Sequence, residues 1–338
     1  MTRPLKVTAA GRLSADEYVE GIRRGDRAVL ARAITLIESE LPSDSDLASE
    51  VVGRCYPLAG ESRRVGVTGV PGVGKSTFIE SLGTHLVTDY KETVAVLSVD
   101  PSSAISGGSI LGDKTRMGRL AADDRAFVRP SPARGHPGGV ARRTREAMLL
   151  CEAAGYRNVL VETVGVGQSE TAVRSMVDFF LLLLLPGAGD ELQGMKRGIV
   201  EMADLIAVNK ADGDNRERAA SACREYENAL HLFPAAADGW NSGVMTCSAL
   251  TGEAVPEMWR IILQHRAQME ATGWLVRHRR EQALDWMNDA LLYGIKEELR
   301  RDPIVNQRLT ALRHEVSEGG ASPFLAAREL LALFRRKD

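Results

Sequence analysis

Cysteine and histidine are scarce and scattered in this chain. Its 338 residues include four cysteines, Cys55, Cys151, Cys223 and Cys247, with no C-x-x-C pair, and six histidines. That usage fits a reducing compartment and argues against a structural zinc site, so we expect a cytoplasmic protein. An excess of one charge is also missing. Lys plus Arg number 43 and Asp plus Glu 45, a net charge of −2. There is thus no bulk electrostatic case for nucleic acid or an anionic membrane. Long apolar runs are absent too. The most hydrophobic stretch, 179–185, is far short of the roughly 20 residues that span a bilayer. It reads instead as a strand buried on both faces of a parallel sheet. Residues 1–11 lack the apolar segment of an N-terminal signal. No internal repeat or low-complexity segment is evident.

What is present begins with Gly69-Val70-Pro71-Gly72-Val73-Gly74-Lys75-Ser76, which fits G-x-x-x-x-G-K-[ST]. A strand is predicted before it at Val65–Val67, and a helix after it from Ser76 to Leu82. That strand–loop–helix context is what a phosphate-binding loop requires. Glycines let successive N–H groups point inward at phosphate oxygens, and the helix N-terminus adds partial positive charge. Lys75 can reach the β- and γ-phosphates, and the Ser76 hydroxyl can ligate Mg²⁺.

Asn209-Lys210-Ala211-Asp212 follows the apolar run 205–208. The Asp212 carboxylate can accept from both N1–H and the exocyclic amine of guanine. Adenine offers a bare N1 there, and a buried unpaired polar group costs about 1–3 kcal/mol. Asn209 can tie this loop to the phosphate loop, and the Lys210 stem can cover one face of the base. Downstream, the backbone of Ser248-Ala249-Leu250 can meet the guanine O6. The expected ligands are GTP and GDP with Mg²⁺.

Asp100 follows the predicted strand Val94–Val99 and can hold Mg²⁺ directly or through water. Glu162 ends the strand 159–161 in the Walker-B role, and Gly165 can offer its N–H to the γ-phosphate. Lys75, Asp100 and Glu162 are the catalytic candidates, and Ser76, Asp100, Asp113 and Glu162 the metal candidates. Asp113, in the glycine-rich connector 106–116, is either a second metal ligand or a solvated loop acid. Val166 stands where many small GTPases carry a water-orienting glutamine, so intrinsic hydrolysis is expected to be slow. Gln168 has the wrong spacing for that role. The arginines of 129–145 either neutralise transition-state charge or pair locally. His136 is either an acid/base group or a structural or partner contact. The loop 187–198 carries Asp190, Glu191, Lys196 and Arg197, and reads either as a switch or as an ordinary strand-to-helix connection.

The expected fold is α/β, a P-loop doubly wound, mostly parallel sheet with helical N- and C-terminal extensions. The organisation is 1–62 helical, 63–265 nucleotide-binding and 266–338 helical. Strands are predicted at 65–67, 94–99, 127–129, 159–162, 179–185, 205–209 and 244–248. Asp26 is expected to cap a helix over 27–41, the segment 42–46, which begins with Pro42, to interrupt it, and 47–55 to be helical again. A long helix is predicted from Trp274 to Arg301, ending before Pro303, and a last helix from Pro323. The apolar face of the long helix packs either on the chain's own core or in a dimer arm.

Together, Gly69–Thr77, 99–103, 112–117, 134–139, 162–170, 186–198 and Asn209–Asp212 resemble the methylmalonyl-CoA-mutase-associated GTPases, the MeaB/ArgK family. The resemblance covers most of 14–300 and is dense in 63–250. It implies a homodimeric G-protein chaperone that binds methylmalonyl-CoA mutase, gates adenosylcobalamin delivery, protects the mutase and couples these tasks to GTP hydrolysis. It implies that Lys75, Ser76 and Thr77 bind phosphates and Mg²⁺, and that Asp100, Asp113 and Glu162 set the metal and switches. It further implies that Asp212 reads guanine, that 187–198 is a switch through which the partner stimulates hydrolysis, and that B12 sits on the mutase. Three other classes remain open: a nickel metallochaperone GTPase, a small-molecule kinase and a purely structural nucleotide-binding subunit. The first usually shows a Cys/His cluster near the switches, which this chain lacks. No residue pattern identifies a substrate site for the second.

Overall fold

The computed structural model describes residues 12–99, 117–129, 137–163, 169–187, 197–231, 233 and 238–335. The chain divides into two compact units, Met1–Arg279 and Arg280–Asp338. The first is built on seven strands, β1 (Arg63–Gly69), β2 (Val94–Val99), β3 (Ala126–Arg129), β4 (Asn158–Thr163), β5 (Phe179–Leu184), β6 (Leu205–Val208) and β7 (Gly243–Thr246). They lie in the order β3-β2-β4-β1-β5-β6-β7, and every pairing is parallel. The order reverses between β1 and β5, so the loops leaving β1 and β6 meet above the C-terminal strand ends, where ligands bind in such sheets.

Burial explains the strands. β2, β4, β5 and β6 are buried at every residue, as parallel strands covered on both faces must be. Alternation along β5 splits its leucines between two cores. Leu181 and Leu183 join Val65, Phe78, Leu82 and Trp259 on one face. Leu182 and Leu184 join Ile206, Val208, Ala219 and Tyr226 on the other.

Among the described residues, the α-helices that precede the sheet are α1 (Ala15–Arg23), α2 (Arg27–Glu38) and α3 (Pro42–Cys55). Ser14 and Glu17 form a capping box on α1, and the Asp26 carboxylate caps α2. The structure departs from expectation at Pro42. Helix α2 ends at Glu38, and Pro42 opens α3 rather than interrupting a longer helix. Proline lacks an N–H that the first helical turn leaves unpaired anyway, so it starts a helix readily. The helices flanking the strands are α4 (Lys75–Thr88), α5 (Gly118–Ala122), α6 (Pro137–Ala153), α7 (Ser169–Arg174), α8 (Arg197–Glu201), α9 (Arg216–Leu230) and α10 (Val255–Ala271).

The strand ends away from the loops are tied by buried ions. Arg64 on β1 forks onto Glu152 of α6 at 2.6 and 2.9 Å. Asp178, just before β5, takes Arg279 at 2.6 and 2.9 Å and the Arg64 N–H at 3.1 Å. Burial pushes the Asp178 carboxyl up, but Arg279, Arg64 and Arg266 outweigh it and hold it below the usual carboxylate range.

Arg279 lies on α11 (Trp274–Arg301), which continues into the second unit. There α12 (Pro303–Ser317) and α13 (Pro323–Arg335) pair, with Arg308 bonded to Glu315 at 2.7 Å and Glu329 at 2.5 Å. The carboxylate of Asp302 accepts from the N–H groups of Ile304 and Val305 and so caps α12, a helix not foreseen in the sequence. Among the described residues, no helix is long and apolar enough to cross a membrane.

Candidate functional site

The phosphate loop joins β1 to α4. Gly69 has φ +149° and Gly74, the N-cap of α4, has φ +99°. A Cβ on Gly69 would sit 2.3 Å from the Leu183 carbonyl oxygen, and one on Gly74 2.8 Å from Asn209 Nδ2. Both positions therefore require glycine, for space and for backbone sign. No side chain caps α4, so its first-turn N–H groups remain donors for an anion. Lys75 is 7% exposed. It donates to the carbonyls of Gly69 at 2.7 Å and Val70 at 3.2 Å, which holds it over the loop.

Strand β4 brings Glu162 to this loop by register, since Val67 of β1 pairs with Glu162. The Ser76 hydroxyl donates to Glu162 Oε1 at 2.8 Å, and both residues are buried. One residue on, the hydroxyls of Thr163 and Thr68 bond at 2.9 Å and lock the two strands at the root of the loop. A hydroxyl and a carboxylate side by side are hard oxygen donors of the kind that Mg²⁺ takes.

The second loop leaves β6. Asn209 is 1% exposed. Its Nδ2 donates to the Val73 carbonyl at 2.8 Å, and its Oδ1 accepts from the Ala249 N–H at 2.9 Å. Oδ1 also faces the Cys247 thiol at 3.6 Å, a group that burial pushes up to about 12 and so keeps protonated. Lys210 is exposed and takes φ +61°, which turns the chain so that the Ala211 N–H reaches the Cys247 carbonyl at 2.9 Å. The Ser248 hydroxyl donates to Asp212 Oδ2. Asp212 is thus steered by a side chain that sequence reasoning considered only for its backbone. The signal was a hydroxyl residue between two small buried ones, Cys247 and Ala249. Leu250 stands exposed beside them.

The structure brings Gly69–Thr77, Glu162, Asn209–Asp212 and Ser248–Leu250 to one end of the sheet. Asp100, Asp113, His136, Gly165, Val166, Gln168, Asp190, Glu191 and Lys196 lie outside the described residues. Three of the arginines between 129 and 145 meet carboxylates: Arg129 bonds Glu38, Arg142 bonds Glu146 at 2.8 Å, and Arg143 reaches Glu40 at 3.3 Å.

Comparison with known proteins agrees with this geometry. The model of the family described as "Methylmalonyl Co-A mutase-associated GTPase MeaB" matches residues 30–302. The chain is 49% identical over 271 residues to "GTPase ArgK" of Escherichia coli, covering 80% of this chain and 82% of that one. It is 44% identical over 332 residues to "Methylmalonic aciduria type A homolog, mitochondrial" of Mus musculus, covering 95% and 80%. A solved structure described as "LAO/AO transport system kinase" superposes with a TM-score of 0.72 at 38% identity, covering 95% of this chain and 97% of that one. The chain belongs to the MeaB family of methylmalonyl-CoA mutase-associated P-loop GTPases, and it hydrolyses GTP.

Proposed function

We propose that this GTPase is a cytoplasmic chaperone of an adenosylcobalamin-dependent methylmalonyl-CoA mutase. It gates cofactor delivery and protects the mutase, while B12 stays on the partner. The observation that carries this reading is the family match over 30–302, supported by the name of the mouse relative.

The site supplies the chemistry of a nucleotide-gated partner. Gly69–Thr77 would wrap the phosphates, with Lys75 facing the β- and γ-oxygens. Asp212 would read guanine, with Asn209, Lys210 and Ser248–Leu250 around the base. Ser76 and Glu162 fit Mg²⁺ by their donor chemistry, and Asp100 and Asp113 would complete its surroundings. The ion would neutralise charge building on the phosphates. Slow unassisted turnover, from Val166, would leave hydrolysis to the partner's action on 187–198.

A homodimer through the helical extension 266–338 is part of the same proposal. Within the second unit, Leu284, Met287, Leu291, Leu292 and Ile295 of α11 are all exposed. Such a row of large apolar side chains suits a second copy better than water.

The test is the steady-state GTPase rate of the purified chain with and without the mutase of the same organism. The reading requires stimulation by the mutase. Normal GTP affinity with no stimulation by a folded mutase would sink it. A kinase reading has one observation in its favour, the description of the superposed structure. GTP-dependent phosphate transfer to a small molecule, rather than to water, would install it.

A further inference from the structure

At the ends of the strands away from the nucleotide loops, Asp204 stands just before β6, Asp238 lies in the segment before β7, and His265 projects from α10. One carboxylate oxygen of each aspartate and one ring nitrogen of His265 all lie within 4.8 Å of one another. Asp204 is 5% exposed and His265 2%. The Nε2 of His265 is buried with no hydrogen-bond partner. A buried polar nitrogen left so is costly, and it calls for an explanation.

The surroundings hold these groups in place. Arg174 forks onto Asp204 at 3.0 and 3.2 Å, and the Phe180 N–H donates to the same carboxylate at 2.7 Å. The Trp240 N–H donates to Asp238 Oδ1 at 2.8 Å, and the Trp240 indole N–H to the Asp204 carbonyl at 2.8 Å. The rings of Phe179 and Trp240 meet His265 edge-on, with centroids at 5.1 and 5.0 Å. Two carboxylate groups thus share the cluster with an imidazole whose Nε2 is unpartnered, and Arg174 bonds one of them. Coulomb attraction for a cation is strong in such a buried place.

We propose that Asp204, Asp238 and His265 bind one transition-metal dication, with zinc the best chemical fit. Imidazole with two carboxylates is a first-row donor set, whereas Mg²⁺ and Ca²⁺ take oxygen throughout. Three protein ligands leave a fourth tetrahedral position for water. Arg174 then acts from behind the ligands, orienting the Asp204 carboxylate. Zinc bonds of about 2.0–2.2 Å require the donor atoms to close together on binding. Asp238, half-buried on its loop, is the ligand placed to make that shift. The ion would pin the segment before β7 to β6 and α10. It is separate from the Mg²⁺ expected beside Ser76.

The experiment uses the full chain saturated with Mg²⁺ and GDP, so that the nucleotide loops are filled. Zinc is titrated by calorimetry, and Co²⁺ by its visible absorption. The expected result is one equivalent bound, with a tetrahedral cobalt spectrum. Saturating zinc should raise the melting temperature by roughly 3–8 °C. Asp238→Asn and His265→Gln should each weaken binding at least tenfold and remove the thermal shift, while basal GTPase activity is unchanged. Asp238→Asn, at a half-buried position, keeps the test valid if His265→Gln fails to fold. Absence of stoichiometric binding would overturn the proposal. So would binding that Asp238→Asn retains in full, or a site that takes Mg²⁺ or Ca²⁺ in preference to zinc.

Discussion

Replacing Asn209 by alanine tests whether one side chain holds the phosphate loop and the base-reading loops together. The side chain makes two well-formed hydrogen bonds, to the Val73 carbonyl at 2.8 Å and from the Ala249 N–H at 2.9 Å. At 1% exposure no water stands ready to replace it. Alanine strands two backbone groups, at about 1–3 kcal/mol each, so the first unit should lose about 2–5 kcal/mol. If about half of that loss falls on the arrangement that binds nucleotide, GTP affinity drops roughly 5- to 70-fold. Asn209→Asp separates the two bonds. It keeps an acceptor for Ala249 but sets a carboxylate against the Val73 carbonyl, with repulsion in place of a bond. Urea unfolding, nucleotide titration and amide exchange at Ala249 read these effects. Exchange at Ala249 should quicken in Asn209→Ala and stay slow in Asn209→Asp, although the aspartate variant is the weaker GTP binder. A loss below about 0.5 kcal/mol in Asn209→Ala, or unchanged exchange at Ala249, would refute the reasoning.

Three further outcomes are expected. Asp212→Asn should weaken GDP by roughly 10²- to 10⁴-fold, since two charge-assisted bonds at about 1.5–3 kcal/mol each are lost, and should favour xanthine, whose 2-carbonyl accepts from the amide; competition binding with GDP and XDP measures it. Glu162→Gln keeps an acceptor for Ser76 but removes the charge, so the Mg²⁺ needed for half-maximal turnover should rise at least tenfold, with Mg²⁺-free GDP binding little changed. Arg279→Gln leaves Asp178 short of a partner and should cost about 3–5 kcal/mol near neutral pH. The Asp178 carboxyl is depressed in the fold, so its stabilisation is present above the unfolded carboxylate range and lost as pH falls through the folded value. Urea melts carried from neutral pH down through and below the usual carboxylate range should therefore show the deficit of Arg279→Gln narrowing only at the acid end, and a deficit that stays constant there would contradict the assignment.

The strands were legible because a strand covered on both faces reads as an apolar run, unbroken in 179–184 and interrupted only by Ser98 in 94–99. Their ends were less so. Arg63, Arg64 and Asn158 join the ladder through backbone pairing, which side-chain polarity conceals. Two prolines were read as stops. Pro303 does follow the end of α11 at Arg301, but Pro42 and Pro303 each also occupy the first turn of the next helix, and the Asp302 side chain completes the start of α12. Strand order was not legible, because the return of β4 between β2 and β1 depends on packing between segments far apart in the chain. The same distance hid the tie between Arg64 and Glu152, and the meeting of Asp204 with His265.

That return of β4 explains why the site works as one device. Glu162 reaches Ser76 only because β4 lies against β1, and Asn209 reaches Val73 only because β5 and β6 continue the sheet on the other side. One wing of the sheet thus delivers the carboxylate beside the Ser76 hydroxyl, and the other delivers the base-reading loop. Both attach to the short loop between Gly69 and Ser76. A nucleotide that grips this loop at its phosphates must also feel Asn209 and, through Ala249, the segment leaving β7. Gly74 has no room for a side chain because Asn209 fills that space, so the two loops cannot vary independently. Recognition of the base and grip on the phosphates are therefore coupled through one buried amide. Disturbing that amide should weaken GTP and GDP together, whereas changes at Glu162 should act chiefly through the metal.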